Sequence, residues 1–436
     1  MYLLLQLLVT VLTFMSHGHV AIIVYAQPYT SVVAPIKKHI DAAKPLYSVE
    51  IITTYDQNKH SPANFLIDID APFIWHDCIV LAESYKTNCP SNTLCPSPMS
   101  CEDYQCDDVR TIYSYKNNPS CPEDPGHTSL GGWGCACPVN VVDPVTSSCG
   151  QALLNYDDFT MYTSDGRKVG VDAFNKFYGA NPNAACAPSS SFASFPANVS
   201  GVMAFSSSPY AFPAYLYQPL KKSLALCIPS KPSDRGVLFF GTGPYYLLPQ
   251  LNVDVRSYLS YTPLVKREGS FGYFINVNGI VIKTRSINVP TNTTAKLSTL
   301  DPYTTLRTDI YKSVVRRFSM VTKRLHYAKP IAPFGLCYST STTGLKVPDI
   351  DFILPNGKKW TISTTNSIKQ VTNKVACLAF VDGGATSEPE IVIGTFQFED
   401  NFLEFNLQNS TLGFSSSLLR KKTSCTNFNF TPTGNP

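Results

Sequence analysis

The sequence predicts an all-β fold class, mainly strands with a few short helices, built as two lobes. Three observations carry that prediction. Charged residues make up 15% of 436 positions and aromatics 12%, with 33 Pro and 24 Gly; this balance favours short strands and many turns over long helices or disorder. Apolar runs are short and stop at turn residues, as buried strands do. The same strand-into-turn pattern occurs twice, at Asn64-Phe-Leu-Ile-Asp68-Ile-Asp70 and at Lys296-Leu-Ser298-Thr-Leu-Asp301-Pro302. The repeat is therefore the lobe itself, and a chain of this length has room for one bilobal unit.

The elements follow in order. Residues 1–26 read as a secretory signal, with an apolar segment over 3–14 and Ala26 before a cleavage point at Gln27. The apolar run is too short for a membrane anchor and is interrupted by His17-Gly18-His19. The expected division is an N-terminal lobe over 27–226, carrying a cysteine-rich insertion at about 78–149, and a C-terminal lobe over 227–436. Leu46-Tyr-Ser-Val-Glu-Ile-Ile52 alternates as a strand does. The next strand runs into Asp68-Ile69-Asp70, and a second apolar run ends at Trp75-His76-Asp77-Cys78. An acid at the end of a buried strand is costly unless it is hydrogen-bonded or put to use, which makes Asp68 the first candidate site residue. Residues 215–227 read as a helix followed by a strand. In the second half, Gly236-Val-Leu-Phe-Phe-Gly241 is a buried strand and 273–282 reads as a hairpin turning at Asn278-Gly279. A helix from about Thr308 puts Ile310, Val314, Phe318 and Val321 on one face.

Composition narrows the function classes. Net charge is +4, and basic residues are scattered apart from Lys221-Lys222 and Arg420-Lys421-Lys422, so nucleic-acid binding has no support. No span remains for a membrane once the signal is cleaved. The 14 cysteines behind a secretory signal read as a disulfide framework. Those from Cys78 to Cys149 lie among Pro, Asn, Asp and Ser, the mark of a stapled loop excursion. Cys135-Ala136-Cys137 has no accompanying histidine cluster and reads as a disulfide element rather than a metal or redox site. Sequons at Asn198, Asn292, Asn409 and Asn429 agree with secretion to the extracellular space, apoplast or cell wall.

Several motifs in fixed order carry a family resemblance. They are the Trp75-His-Asp-Cys78 strand end, Cys186-Ala-Pro-Ser189, Tyr261-Thr-Pro-Leu264 and Leu297-Ser-Thr299. Further along come Pro302-Tyr-Thr304, Ala332-Pro-Phe-Gly-Leu-Cys337, Val381-Asp-Gly-Gly384, Ile391-Val-Ile-Gly394, Gln397-Phe-Glu-Asp-Asn401 and Cys425-Thr-Asn-Phe-Asn-Phe430. Together they resemble a plant family of secreted, aspartic-protease-like proteins. It includes extracellular dermal glycoproteins, basic seed globulins, and inhibitors of fungal xylanases and xyloglucan endoglucanases. The resemblance implies a bilobal pepsin-like fold, usually without proteolysis. It puts the flap hairpin of the first lobe in the region where 151–162 leads into a Ser164-Asp165-Gly166 turn. It favours a Cys337–Cys377 disulfide and a tail tied back through Cys425. The interval from Gln27 to Asp68 is too short for an ordinary propeptide as well as a first strand.

The chemistry can be read independently. Aspartic proteolysis needs two carboxylates sharing one proton, one acting as base on water and the other as acid. Asp68 offers one, but the matching position in the second lobe is Ser298, whose hydroxyl can neither hold nor release that proton at working pH. Asp70 and Leu300 also replace the glycine of each turn. Asp301 reads as a turn or helix-start residue, and Asp68 with Asp70 lacks further ligands for a metal. The expectation is a pseudo-enzyme without cofactor or metal. The expected partner is a microbial glycoside hydrolase, a xylanase or endoglucanase, inhibited in plant defence. In xylanase inhibitors a histidine shortly before the last cysteine enters the target's cleft. Counting back from Cys425 gives Lys421, within Arg420-Lys421-Lys422, as the candidate contact. A solvated tail is the plainer reading of that triplet. The alternatives are a storage or peptide-binding globulin and an atypical active endopeptidase.

Overall fold

A computed structural model describes residues 29–56, 59–78, 97–113, 121, 128–129, 135–170, 177–250, 252–340 and 345–431. The signal segment and Cys89 and Cys95 lie outside the described residues. Among the described residues strands dominate and the helices are short, the longest being Thr308–Val321.

The first lobe is organised by four strands: β1 (Ser31–His39), β2 (Leu46–Asp56), β3 (Lys59–Asp68) and β4 (Ile74–Asp77). β3 and β4 do not pair with each other. Both flank the strand Val199–Ala204, β3 running parallel to it and β4 antiparallel. On its other side β4 runs parallel to Asn183–Ala187. Gly201 makes the crossing possible, since a Cβ there would sit 2.5 Å from the Cβ of His76 and 2.7 Å from the Trp75 carbonyl.

The second lobe repeats this arrangement strand for strand. Thr294–Leu297 runs parallel to Ile391–Ile393. Thr304–Leu306 runs antiparallel to Ile391–Ile393 and parallel to Phe380–Asp382. Gly394 is a tight spot of its own, three places further along than Gly201 in the equivalent strand, where a Cβ would lie 2.6 Å from the Asp301 carbonyl. The two turns that carry the candidate site, after Asp68 and after Leu297, thus occupy equivalent places. This is the bilobal pepsin-like fold.

One 16-stranded sheet joins the halves. β1 pairs with Arg235–Phe240, which pairs with Ser223–Cys227, which pairs with Phe402–Asn406. A buried ion pair crosses the same seam: Lys38 Nζ of β1 lies 2.5 Å from Glu399 Oε1, which also accepts from Tyr47 Oη at 2.7 Å. Aromatic packing fills both cores. Trp75 lies against Phe192 and Phe195, and Trp360 stacks on Phe398. Such rings bury large apolar area, the main favourable term in folding.

Six disulfides are present among the described residues. Cys101–Cys135, Cys106–Cys137 and Cys121–Cys149 staple the cysteine-rich excursion. Cys78 leaves that segment to bond Cys186, fixing β4 to its neighbour strand. Cys337 is joined to Cys377, and Cys425 to Cys227, tying the tail to the central sheet.

Three local expectations are corrected. The hairpin expected from 151–162 does turn after Ser164, with Phe159–Ser164 paired antiparallel to Phe177–Ala180, but its first strand starts later than 151: Cys149–Tyr156 pairs instead with Pro138–Val142. Between Cys149–Tyr156 and Phe159–Ser164, Asp157 is held by His76 of β4 at 2.6 Å, both side chains buried, so the chain is drawn across the lobe rather than folded back. The 273–282 stretch also divides: Phe274–Asn276 joins Thr294–Leu297, whereas Gly279–Ile282 joins Arg285–Ile287. Its tight turn is at Lys283, in the left-handed region at φ 62°, and not at Asn278-Gly279. Finally, the helical part expected in 215–227 is only a 3₁₀ turn upstream, Phe212–Tyr215, before the strand Ser223–Cys227. The helix Thr308–Val321 buries Ile310, Val314 and Phe318, and half-buries Val321.

Candidate functional site

Asp68 ends β3 and is 7% exposed. Its Oδ1 accepts from the backbone amides of Asp70 at 2.8 Å and Ala71 at 3.1 Å. Ser298 follows the strand Thr294–Leu297 and is 6% exposed. Its Oγ accepts from the amides of Leu300 at 3.3 Å and Asp301 at 3.0 Å. A serine hydroxyl therefore performs in one lobe the turn-closing role that a carboxylate performs in the other. Both are local Asx/ST-type turns, available to either residue type.

Thr299 brings the two turns together. Its Oγ1 donates to the Ile67 carbonyl at 2.6 Å and accepts from the Ile69 amide at 3.4 Å. Ile69 has no side-chain oxygen, so this grip is made from one side only. The Asp301 backbone carbonyl accepts from the Thr395 amide at 2.8 Å.

The sequence reading missed the remaining member of the site. Lys296 Nζ is ion-paired with Asp70 Oδ2, across the lobes. Asp70 Oδ1 accepts from Ser270 Oγ at 2.8 Å. Lys296 stands two residues before Ser298, so strand periodicity puts it on the same face, and that spacing was the available signal. Burial depresses the Lys296 ammonium, but the carboxylates of Asp70, Asp68 and Asp301 outweigh it and its pKa is raised. Asp68 is pushed up to about 6, first by burial and then by the charge of Asp70; its amide bonds and Lys296 oppose the shift.

Chemically the centre is a carboxylate, a hydroxyl and an internal ion pair. The Ser298 oxygen accepts from two amides and carries no titratable proton near neutrality, so Ser298 itself cannot share a proton with Asp68 as a second carboxylate would. Among the described residues, no group of three or more His, Cys, Asp or Glu side chains is placed to hold a metal ion.

Comparison with known proteins agrees with the geometry. The family models described as xylanase inhibitor N-terminal and xylanase inhibitor C-terminal match residues 51–242 and 272–416. A relative described as gamma conglutin 1 from Prunus dulcis is 35% identical over 413 residues, 91% of this chain and 89% of the relative. The chain belongs to the xylanase inhibitor-like family of aspartic-protease-like proteins. A rice (Oryza sativa subsp. japonica) relative of this family named chitinase CLP is 32% identical, with coverage of 92% and 91%. A Nicotiana benthamiana relative named probable aspartic proteinase GIP2 is 30% identical, with coverage of 85% and 86%. Among solved structures, that titled edgp superposes with a TM-score of 0.77 at 28% identity, covering 93% of this chain and 99% of the other.

The other predicted site residues of this xylanase inhibitor-like chain lie far from the centre in sequence. Arg420 and Lys421 close the 3₁₀ turn Leu418–Lys421. Arg420 Nη2 contacts both oxygens of Asp349, at 2.7 and 2.9 Å, and Lys421 Nζ lies 5.2 Å from the Tyr258 ring centroid. Lys422 takes the left-handed cap position at φ 58°, and all three side chains are exposed. Asn198, Asn292 and Asn409 are exposed, whereas Asn429 is half-buried, its side chain accepting from the Thr431 amide at 2.9 Å.

Proposed function

We propose that this protein is a secreted, proteolytically inactive member of its family that binds and inhibits microbial cell-wall-degrading glycoside hydrolases, a xylanase or a xyloglucan endoglucanase, in plant defence outside the cell. The observation that carries the reading is the pairing of Asp68 with Ser298 at equivalent turns, which leaves the scaffold without its second carboxylate. Function then falls to loops on the surface of a rigid, disulfide-stapled body, a common place for it. In this reading Lys421 and Lys422 face the paired carboxylates of the hydrolase cleft, while Arg420 is held by Asp349 and positions the turn.

The test is an inhibition panel of fungal xylanases and endoglucanases with the full chain and with Lys421→Ala/Lys422→Ala. The expected result is inhibition of at least one enzyme, weakened tenfold or more by the double substitution, as loss of charged contacts would give. Absence of binding across the panel overturns the inhibitor reading. It would favour the second reading, an extracellular storage or peptide-binding globulin, which the match to gamma conglutin 1 supports. A third reading, an atypical active endopeptidase, has in its favour the relative named probable aspartic proteinase GIP2. It predicts acid-pH digestion of a denatured substrate that Asp68→Ala abolishes.

A further inference from the structure

A cavity of about 370 Å³ opens where the loop after Val199–Ala204 meets the second lobe. Its frame is tied across the junction. Ser207 donates through its amide and its hydroxyl to the Phe271 carbonyl, at 2.9 and 2.8 Å, and Tyr273 Oη donates to the Phe205 carbonyl at 2.9 Å. The cavity is thus held open by fixed backbone, and its volume is in the range of ~300–1,000 Å³ usual for small-molecule sites.

Its charge is unbalanced. Lys221 and Lys266 both line it, and no Asp or Glu does so among the described residues. Neither ammonium belongs to an ion pair or a side-chain hydrogen bond among those residues. The nearby Asp70 carboxylate, which abuts Gly272, is already neutralised by Lys296. Of the serine oxygens, Ser206 donates inward to the Ala71 carbonyl at 2.7 Å, Ser207 is committed to Phe271, and Ser208 Oγ accepts from the Tyr210 amide at 3.2 Å. Much of the remaining wall is apolar, with Leu264, Tyr273 and Leu407. Two unpaired cations at the rim of an apolar-walled cavity, Lys221 half-buried and Lys266 exposed, favour an anion. The apolar wall rewards a hydrocarbon body on that anion.

We propose that this inter-lobe cavity binds a carboxylate carried on a compact apolar body, with Lys221 and Lys266 meeting the carboxylate and Leu264 and Leu407 its hydrocarbon part. A fatty acid and an apolar peptide C-terminus both present that chemistry. The inference is independent of the hydrolase reading, since the cavity does not include the Arg420-Lys421-Lys422 turn.

The experiment is calorimetric titration of the full chain with octanoate, with N-acetyl-leucyl-leucine, and with 1-octanol as the uncharged counterpart. Octanoate or the dipeptide should bind saturably, which also tells the two sources apart, while octanol binds at least tenfold more weakly. Lys221→Met/Lys266→Met should weaken the carboxylate at least tenfold. Two surface changes guard against misfolding: Lys266→Met alone, and Ala214→Trp, at an exposed position on the cavity wall, which should block binding without shifting the melting temperature of the unliganded protein. Binding of neither carboxylate, equal binding of octanol, or affinity unchanged in these folded variants would overturn the proposal.

Discussion

Lys296 is ion-paired with Asp70 across the junction of the two lobes. The turn holding Asp68 is therefore met from the opposite lobe by a cation two residues before Ser298, which stands at the place of a protease's second carboxylate. This has a consequence for attempts to restore activity. Ser298→Asp alone should leave acid-pH digestion of denatured casein at background, because the new carboxylate would share its strand face with Lys296 and both turns would still lack glycine. Digestion by that single variant would show that the ion pair is no obstacle.

Asp68 makes stability depend on pH in an unusual direction for a carboxylate. Its folded-state pKa is raised from the ordinary 3.8 to about 6, chiefly by burial. The folded protein then binds more protons than the unfolded chain between those values, so stability falls as pH rises through that window. Asp68→Asn keeps the acceptor oxygen for the Asp70 and Ala71 amides without the buried charge. It should match wild type below pH 4 and exceed it by about 2–3 kcal/mol at pH 7.5, since each tenfold change in proton affinity is worth about 1.36 kcal/mol. Urea denaturation at the two pH values measures this, and equal differences at both would refute it.

Lys38 and Glu399 make a second cross-lobe ion pair among the described residues, and both are buried. Lys38→Met would strand the Glu399 carboxylate and should cost about 3–5 kcal/mol. Lys38→Met/Glu399→Gln should recover part of that loss, because the amide can still accept from Tyr47 without a net charge. A double variant no more stable than the single one would argue against a stranded charge as the cause.

Gly201 sits where β4 passes the strand Val199–Ala204, and a Cβ added there would lie 2.5 Å from the His76 Cβ. Gly201→Ala should therefore lower the denaturation midpoint markedly, by overpacking on the order of 1–3 kcal/mol or more. A variant of wild-type stability would mean that the strands can separate at no cost.

Features closed within a few residues were legible in the sequence. The apolar runs before Asp68 and Ser298, the period of the helix Thr308–Val321 and the replacement of an acid by Ser298 all depend on near neighbours. The Ser298 turn needs only amides two and three positions on. Local reading failed where a strand's partner lay elsewhere: Phe274–Asn276 and Gly279–Ile282 read as the two arms of one hairpin, but the first pairs with Thr294–Leu297 and the second with Arg285–Ile287 and Ile350–Ile353.

What the sequence determined by itself was the all-β class, the two-lobed repeat and the missing second carboxylate, because periodicity and short-range hydrogen bonding encode them. Tertiary structure alone decided that Thr299 reaches the Ile67 carbonyl, 232 positions away, and that Lys296 reaches Asp70, 226 positions away. It also decided that Lys221 and Lys266 share a cavity. Such meetings follow from the packing of two whole lobes on one sheet, and no stretch of neighbouring residues specifies them.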